Sequence, residues 1–244
     1  MQRSLVAAVA LVLLVFILPS AASAQSIKGN GKIKTEVRQA QGFNKLVVQG
    51  HVELFLSQES SENVKIEADE NLIELFQTIV NDNVLYVIVP ANIKKTLSLN
   101  VSVAFKSLEQ ITLLDEVTLK STRAVNFDHI DIVCSGASRM EFEFKAASST
   151  VKIIDAGNAF LKGYTENLTI EAHDDAEVNA FDLQSDNCTV IGSGYSVVSV
   201  NAKRKLAATI TGNSNMYYIG EPSFSQRYHS SAGLITKRGS ANSK

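Results

Sequence analysis

The chain has 244 residues, of which 45% are hydrophobic, and this is enough to bury a core, so a wholly disordered polypeptide is excluded. Its 23 basic and 25 acidic residues give a net charge of −2, and the sequence pI is near 6.1. Because there is no basic surplus to hold phosphate backbones, we expect no nucleic-acid partner.

The start of the chain has the pattern of a secretory signal peptide. Arg3 supplies a positive charge, residues 5–18 form an apolar run, and small residues follow at 22–24. The run is shorter than the roughly 20 residues that cross a bilayer core, so cleavage after Ala24 is favoured over an uncleaved anchor. We therefore expect a signal peptide at 1–24 and an exported bacterial protein of the periplasm, the outer cell envelope or the extracellular space. We expect no transmembrane segment after cleavage.

The first half of the exported chain has the pattern of short strands in an irregular order. The segments rich in β-branched residues are 45–48, 52–56, 64–68, 84–89 and 97–103. Residues 69–76 predict a helical turn, because Asp69 can cap it and three apolar residues share one face. We interpret this half as atypical first coils that cap a repeat protein.

From residue 107 onward the sequence repeats with a period of about 20 residues. Each repeat starts with an apolar, polar, apolar triplet, whose second apolar residues are Leu113, Ile132, Ile153, Ile170, Val190 and Ile210. After a turn of small or polar residues comes a second apolar series, namely Val117, Met140, Phe160, Val178, Val197 and Met216. Such a period without helical heptads is typical of a right-handed parallel β-helix.

We therefore predict a single all-β solenoid domain over residues 25–236. Its coils are irregular up to about residue 106 and regular over 107–224, and a flexible tail follows at 237–244. Alternation along the strands predicts that Ile132, Ile153, Ile170 and Val190 form one internal ladder, while Asp131 and Lys152 point outward. The alternative is a Greek-key or sandwich arrangement, but the turns lack the Asn-Gly or Asp-Gly signature of tight hairpins.

The two cysteines, Cys134 and Cys188, raise the question of a disulfide, which an exported chain can form. In the predicted solenoid they lie three coils apart, or about 14 Å along the stack, and a disulfide needs Cα atoms within roughly 7 Å. We predict two free thiols, with Cys188 in an internal column beside Leu168 and Ala208.

Several segments resemble one protein family. They are Gly29-Asn30-Gly31-Lys32, Gly42-Phe43-Asn44-Lys45-Leu46 and Val64-Lys65-Ile66-Glu67-Ala68-Asp69-Glu70-Asn71-Leu72, together with the turns Ser135-Gly136-Ala137-Ser138 and Gly192-Ser193-Gly194. In their order and spacing the chain resembles the putative auto-transporter adhesin, head GIN domain family over nearly all of residues 29–236. The turns at 114–116 and 173–175 depart from the family pattern because they lack its glycines. The resemblance implies a secreted or envelope β-helix with no enzymatic residues to carry over.

Acidic residues of the turns are the candidates for a bound ion. Asp155, Asp174 and Asp175 fall on adjacent turns, where stacking would bring them within several ångströms of one another. Extracellular β-helices include polysaccharide lyases, which hold Ca²⁺ with clustered acids and use a base to remove a proton. No basic residue repeats beside these aspartates, and aspartate is a common turn former. We therefore expect no metal and no cofactor, and keep the three aspartates as weak calcium candidates.

Catalytic motifs are otherwise missing from the sequence. It has no Gly-x-Ser-x-Gly elbow, and its four histidines, His51, His129, His173 and His229, are scattered. The leading hypothesis is an exported, non-catalytic scaffold that binds a glycan or an envelope or surface protein. The alternatives are a polysaccharide-active lyase or hydrolase on the same scaffold, and a structural envelope protein without a ligand.

Overall fold

The computed structural model describes residues 26–90, 92–121, 123–230 and 232–239. The described residues form seventeen strands and a 3₁₀ helix at Glu70–Leu75. The strands are β1 Ile27–Lys28, β2 Ile33–Gln39, β3 Lys45–Gln58, β4 Asn63–Asp69, β5 Gln77–Asn81, β6 Val84–Ile88, β7 Ile93–Lys94, β8 Leu99–Phe105, β9 Gln110–Ser121, β10 Val125–Cys134, β11 Arg139–Ile153, β12 Asn158–Ala172, β13 Glu177–Gly192, β14 Val197–Ile210, β15 Asn215–Ile219, β16 Ser223–His229 and β17 Leu234–Lys237. The predicted signal peptide at 1–24 lies outside the described residues.

The strands from β9 onward stack as parallel coils, which confirms the predicted parallel β-helix. Each strand from β9 to β14 pairs in parallel with its successor, β15 and β16 pair with β14, and β17 pairs with β15. Face A consists of residues 110–113, 131–134, 150–153, 169–172, 189–192 and 207–210, and face B of 118–120, 139–142, 158–161, 177–180, 197–200 and 215–218. Face C consists of residues 125–130, 144–149, 163–168, 183–188 and 201–206. Alternating inward residues of the three faces form one buried core.

The internal ladder of face A differs from the prediction by two residues in one coil. Its members are Ile132, Val151, Ile170, Val190 and Ala208, all buried. Ile153 is buried too, but it pairs with Cys134 and Ala172, so the predicted place of Ile153 was wrong. Val151 and Ile153 are both apolar and both inward, so alternation cannot distinguish which of them continues the ladder.

The same ambiguity affects the column of Cys188. This residue pairs with Leu168, as predicted, and with Leu206. Ala208 pairs instead with Val190, two residues further along the strand, so its predicted place beside Cys188 was wrong.

The predicted second apolar series is only partly an internal column. On face B the inward column is Met140, Ala159, Val178, Val198 and Met216. Phe160 and Val197 lie next to its true members and point outward, and Val117 lies two residues before Leu119, which pairs with Met140. A one-residue slip moves a side chain to the opposite face of a strand, and hydrophobicity alone favours Phe160 over the smaller Ala159. Asp131 and Lys152 point outward as predicted, with side chains about half exposed at 49% and 40%.

The N-terminal half caps the solenoid with mixed pairing. β3 pairs in parallel with β9 over its first twelve residues, and it also pairs with β6 and β8. β2, β4 and β8 pair antiparallel with one another in that order, and β5 and β6 form an antiparallel pair. The sequence did not predict this antiparallel layer, because β2 carries polar residues and its apolar side chains Ile33 and Val37 are exposed.

Asp69 has a different role from the predicted helix cap. The helical turn is present as the 3₁₀ helix Glu70–Leu75, but the Asp69 side chain makes no capping hydrogen bond. Its carboxylate accepts from the Gly31 amide at 2.5 Å, the Thr96 hydroxyl at 2.5 Å and the Leu97 amide at 2.9 Å. Asp69 is almost fully buried, and it fastens the start of the described chain to the cap.

Charged side chains end the core at the C-terminal coil. Arg227 pairs with Ala208, the last buried member of the face A ladder, and is itself exposed. Its guanidinium lies 5.2 Å from the centre of the Phe224 ring and donates to the Ile235 carbonyl at 3.0 Å. The Arg238 amide donates to the Tyr218 carbonyl at 2.8 Å, so pairing continues into the first residues assigned to the flexible tail.

Candidate functional site

The turn between faces A and B repeats one backbone conformation in every regular coil. The positions form a turn ladder of Asp115, Gly136, Asp155, Asp174, Gly194 and Gly212, with φ of 73°, 73°, 63°, 61°, 77° and 66°. From Gly136 onward, the amide after each ladder residue donates to the ladder carbonyl of the preceding coil, at 2.7 to 3.2 Å. Glycine and aspartate are among the residue types that adopt this left-handed conformation most readily. The turns at 114–116 and 173–175 therefore lack glycine because aspartate takes its place.

The structure brings the three calcium candidates together only in part. Asp155 and Asp174 occupy successive positions of the turn ladder, whereas Asp175 lies one residue further along, where its amide donates to the Asp155 carbonyl at 3.0 Å. The Asp155 carboxylate accepts from the Gly136 amide at 3.0 Å and thereby supports the preceding turn. Within the described ranges, no three His, Cys, Asp or Glu side chains are placed to share a metal ion.

Both cysteines are free and buried. Burial raises the pKa of each thiol to about 12, since the charged thiolate would lose its hydration. The thiols of Cys134 and Cys188 are therefore uncharged at neutral pH and act as small apolar groups of the core.

One histidine lies in a Ser–His–Asp arrangement on the outer surface. His129 Nδ1 is 2.9 Å from Ser148 Oγ, and His129 Nε2 is 3.1 Å from Asp131 Oδ1. These are the side-chain types of serine hydrolases. However, the side chains of His129 and Asp131 are about half exposed, at 50% and 49%, and the adjoining backbone belongs to the β10–β11 ladder. An oxyanion is stabilised by convergent donors in a site that excludes water, whereas these side chains lie on an open strand surface.

A polar patch follows the corner between faces C and A. We call it the polar corner, and it consists of Tyr164, Asn167, Asp186, Asn187 and Arg204. The side-chain amide of Asn187 donates through Nδ2 to Asn167 Oδ1 at 2.9 Å across adjacent coils. The Tyr164 hydroxyl donates to Asp186 Oδ2 at 3.2 Å, and Arg204 Nη2 donates to the same oxygen at 3.1 Å. Desolvation and the negative charge of Asp186 raise the pKa of the Tyr164 phenol, so the hydroxyl keeps its proton and remains a donor.

The polar corner was not predicted from the sequence, although one signal was available. Asn167 and Asn187 are separated by one repeat period, and each lies just before the buried residue that ends a face C segment, Leu168 or Cys188. Tyr164, Asp186 and Arg204 give no such signal, because their contacts depend on how neighbouring coils are registered at the corner.

The fold defines a class of protein: a parallel β-solenoid with an apolar interior and with polar and charged side chains on the outside of its coils. Residues 42–222 match the family model described as "Putative auto-transporter adhesin, head GIN domain", and the chain belongs to that family. No curated protein matches the sequence. Among the described residues, no helix is both long and apolar enough to span a membrane.

Solved structures show the same fold at low sequence identity. A putative adhesin from Bacteroides fragilis is similar with a TM-score of 0.77 and 18% identity, covering 87% of this chain and 100% of its own. A putative adhesin from Parabacteroides distasonis has a TM-score of 0.67 and 20% identity over the same shares. A protein from the same species, described as a putative lipid binding protein, has a TM-score of 0.68 and 16% identity over 88% of this chain and 100% of its own.

Proposed function

We propose that the protein is an exported, non-catalytic scaffold that binds a glycan on the outside of its coils. Membership of an adhesin family supports a binding role, and the polar corner is the observation that carries the choice of ligand. Its amide, carboxylate, guanidinium and phenol groups lie on adjacent coils, which are about 4.8 Å apart. Sugar hydroxyls both donate and accept hydrogen bonds, so a surface with both kinds of group in a fixed register suits them.

The rigidity of the corner favours binding by a surface that is already formed. Asp186 is held by two donors, Tyr164 and Arg204, and its side chain is only 23% exposed. Asn167 is held by Asn187 and itself donates to the Ala147 carbonyl at 3.4 Å. Side chains fixed in this way lose little conformational entropy when a ligand binds.

A glycan array probed with the chain from residue 25 onward tests this proposal. We expect binding to a limited set of glycans, and we expect the double variant Asn167→Ala, Asn187→Ala to lose at least tenfold in affinity, about 1.4 kcal/mol. Asn158→Ala on face B is the matched control and should bind as the unmodified chain does. Equal binding by both variants would place the glycan elsewhere, and an array without any signal would contradict the proposal.

Export is the second part of the proposal and needs its own experiment. We propose cleavage after Ala24, which leaves Gln25 as the first residue. Mass spectrometry of the protein recovered from the periplasm, the cell surface or the medium should find this N-terminus. A mature protein that retains Met1 would show that the signal peptide is not removed.

The alternative of a hydrolase has one observation in its favour, the Ser148–His129–Asp131 arrangement. A Ser148→Ala variant separates the two functions. We expect the unmodified protein and the variant to hydrolyse p-nitrophenyl acetate equally slowly, at the rate of an exposed histidine. A rate that falls at least a hundredfold in the variant would favour the hydrolase, because a positioned nucleophile and base give effects of that size.

A further inference from the structure

Face C begins with a strand that is paired on one side only. β10 pairs with β11 along nearly its whole length, but with β9 only at residues 131–134. Residues 125–130 therefore form an open edge of a parallel sheet within the part of the chain that the structure describes. The edge exists because β3 ends at Gln58 and the chain then turns into β4 and the antiparallel cap.

A side-chain amide occupies the place that a neighbouring strand would take. Gln58 Oε1 accepts from the Asn126 amide at 3.2 Å, and Gln58 Nε2 donates to the Asn126 carbonyl at 3.2 Å. The same nitrogen also donates to the Lys106 carbonyl at 3.2 Å. An adjacent parallel strand bonds to the amide and carbonyl of one residue in the same way. Gln58 is exposed, so a main chain that makes the same bonds can displace its side-chain amide into solvent.

Two open depressions lie along this edge, on either side of Gln58. The first has a volume of about 740 Å³ and includes Arg123 and Glu59, and the second has a volume of about 600 Å³ and includes Glu109 and Asp128. His129 also borders the second depression but is engaged with Ser148 and Asp131. Glu59 accepts from the Ser57 hydroxyl at 2.8 Å. The structure records no ion pair for Arg123, Glu109 or Asp128 among the described residues, and all three are exposed.

The charges give the edge a direction. Arg123 lies two residues before the start of β10, and Asp128 and Glu109 lie near the end of the open segment. An added strand that runs parallel to β10 would present its earlier residues to Arg123 and its later residues to the two carboxylates. The inward residues of the open segment, Val125 and Phe127, are already 1% and 9% exposed, so the added strand needs no apolar anchor.

We propose that residues 125–130 bind an extended segment of a partner protein as an added parallel strand. The segment carries an acidic residue facing Arg123 and a basic residue about four positions later, facing Glu109 and Asp128. Main-chain hydrogen bonds to the edge supply the affinity, and the two charges select the segment and its direction. This site is separate from the polar corner and does not depend on glycan binding.

The test uses two synthetic eight-residue peptides of alternating valine and threonine, blocked at both ends. One carries glutamate at position 2 and lysine at position 6, and the other has these two charges exchanged. Each is titrated into the isotope-labelled chain from residue 25 onward, and the amide resonances are followed by NMR. We expect shifts at residues 125–130 and at the Gln58 side-chain amide, with a dissociation constant near or below about 1 mM for the first peptide and at least threefold weaker binding of the second.

Variants make the test specific. The double charge reversal Glu109→Lys, Asp128→Lys should invert the preference between the peptides. Glu177→Lys reverses the charge of an exposed residue on face B and should leave the preference unchanged. Gln58→Ala should bind the first peptide more tightly, because no side chain has to be displaced. The proposal would be overturned by equal binding of the two peptides to the unmodified chain or by the absence of any shift in that chain. Shifts confined to β16, β17 or the polar corner would overturn it too. So would a dimer of the peptide-free chain with the same amides protected, since a second copy would then be the occupant.

Discussion

The cap at residues 26–109 and the coils at residues 110–219 are both built of short strands, but the coils extend a hydrophobic core and the cap ends it. In the coils, each turn repeats the backbone conformation of the turn before it. In the turn ladder, the ladder carbonyl of one coil accepts a hydrogen bond from the next coil. The cap has to end a hydrophobic core, and no repeat can do that. It uses contacts that occur once, such as the Asp69 carboxylate with its three donors.

Arg38 shows how the cap closes the core edge. It pairs with Glu36 at 2.7 Å and donates to the carbonyls of Phe76 at 2.6 Å and Ile73 at 3.0 Å. Arg227 has the corresponding role at the other end of the stack, where it donates to the Ile235 carbonyl. A charged side chain at a sheet edge discourages another chain from adding there. The two ends of the stack thus carry charged side chains that contact backbone carbonyls, whereas the middle follows an apolar periodicity.

The largest expected effect concerns the junction of the two regions. Phe105, in the last cap strand, is fully buried and stacks on Phe127 of the first face C strand, with ring centres 6.3 Å apart. Phe105→Ala should lower the free energy of unfolding by about 3–5 kcal/mol, because it leaves a cavity between cap and coils. Urea denaturation measures the loss. The outward Phe160→Ala is the control, and a loss below about 1 kcal/mol at Phe105 would mean that the junction can collapse around the cavity.

The next largest effect lies inside the coils. Ile153 is fully buried on face A between Cys134 and Ala172, so Ile153→Ala should cost about 2–5 kcal/mol in the free energy of unfolding. Lys152→Ala, one residue away and outward, should change it by no more than about 0.5 kcal/mol. If both variants lost a similar amount of unfolding free energy, the conclusion that Ile153 points inward and Lys152 outward would be wrong.

The third effect tests the charge that fastens the cap. Hydrogen bonds from Thr96, Leu97 and Gly31 lower the pKa of Asp69 from its ordinary value of 3.8, against the opposing effect of burial. A lowered pKa in the folded state stabilises the protein above the unfolded pKa, and this contribution is lost as the pH falls through 3.8 and past the folded pKa. Asp69→Asn should therefore cost about 1–3 kcal/mol at pH 7, measured by urea denaturation.

The pH dependence of that loss separates charge from packing. The difference in unfolding free energy between the unmodified chain and Asp69→Asn should shrink steadily below about pH 4, where the unfolded carboxylate takes up a proton. A difference that stays constant from pH 7 to pH 3 would assign the role of Asp69 to shape rather than charge.

The fourth effect concerns the turn ladder. Gly194 has φ of 77°, and a Cβ there would lie 2.8 Å from the Asp174 backbone, so Gly194→Ala should cost at least about 1–2 kcal/mol. Asp155→Gly, at the equivalent position, removes the strain of a non-glycine residue in the left-handed conformation but loses the hydrogen bond from the Gly136 amide. Its net effect on the free energy of unfolding should therefore be smaller. Thermal unfolding of both variants ranks them, and the opposite order would contradict the conformational explanation.

The sequence predicts the period, the parallel coils and the buried faces because each coil repeats the same apolar alternation. It does not determine which of Val151 and Ile153 continues a ladder, since residues two apart share a face. The antiparallel layer of β2, β4 and β8 and the one-sided edge of β10 arise from where the chain leaves the repeat, which has no period to detect. The polar corner was not predicted either: the spacing of Asn167 and Asn187 by one period was its one signal, and the contacts of its other members depend on the register of neighbouring coils.

The smallest expected effect is that of calcium on the turns. Asp155 and Asp174 follow one another on the turn ladder and Asp175 is offset by one residue, while the Asp155 carboxylate is already engaged with the Gly136 amide. A Ca²⁺ ion takes six to eight oxygen ligands, and any ion bound only by the folded state raises its stability by mass action. We expect the melting temperature to be unchanged in millimolar Ca²⁺, as measured by calorimetry. A rise in the unmodified chain that disappears in Asp174→Asn, Asp175→Asn would instead make these carboxylates a metal site and favour the polysaccharide lyase over the scaffold.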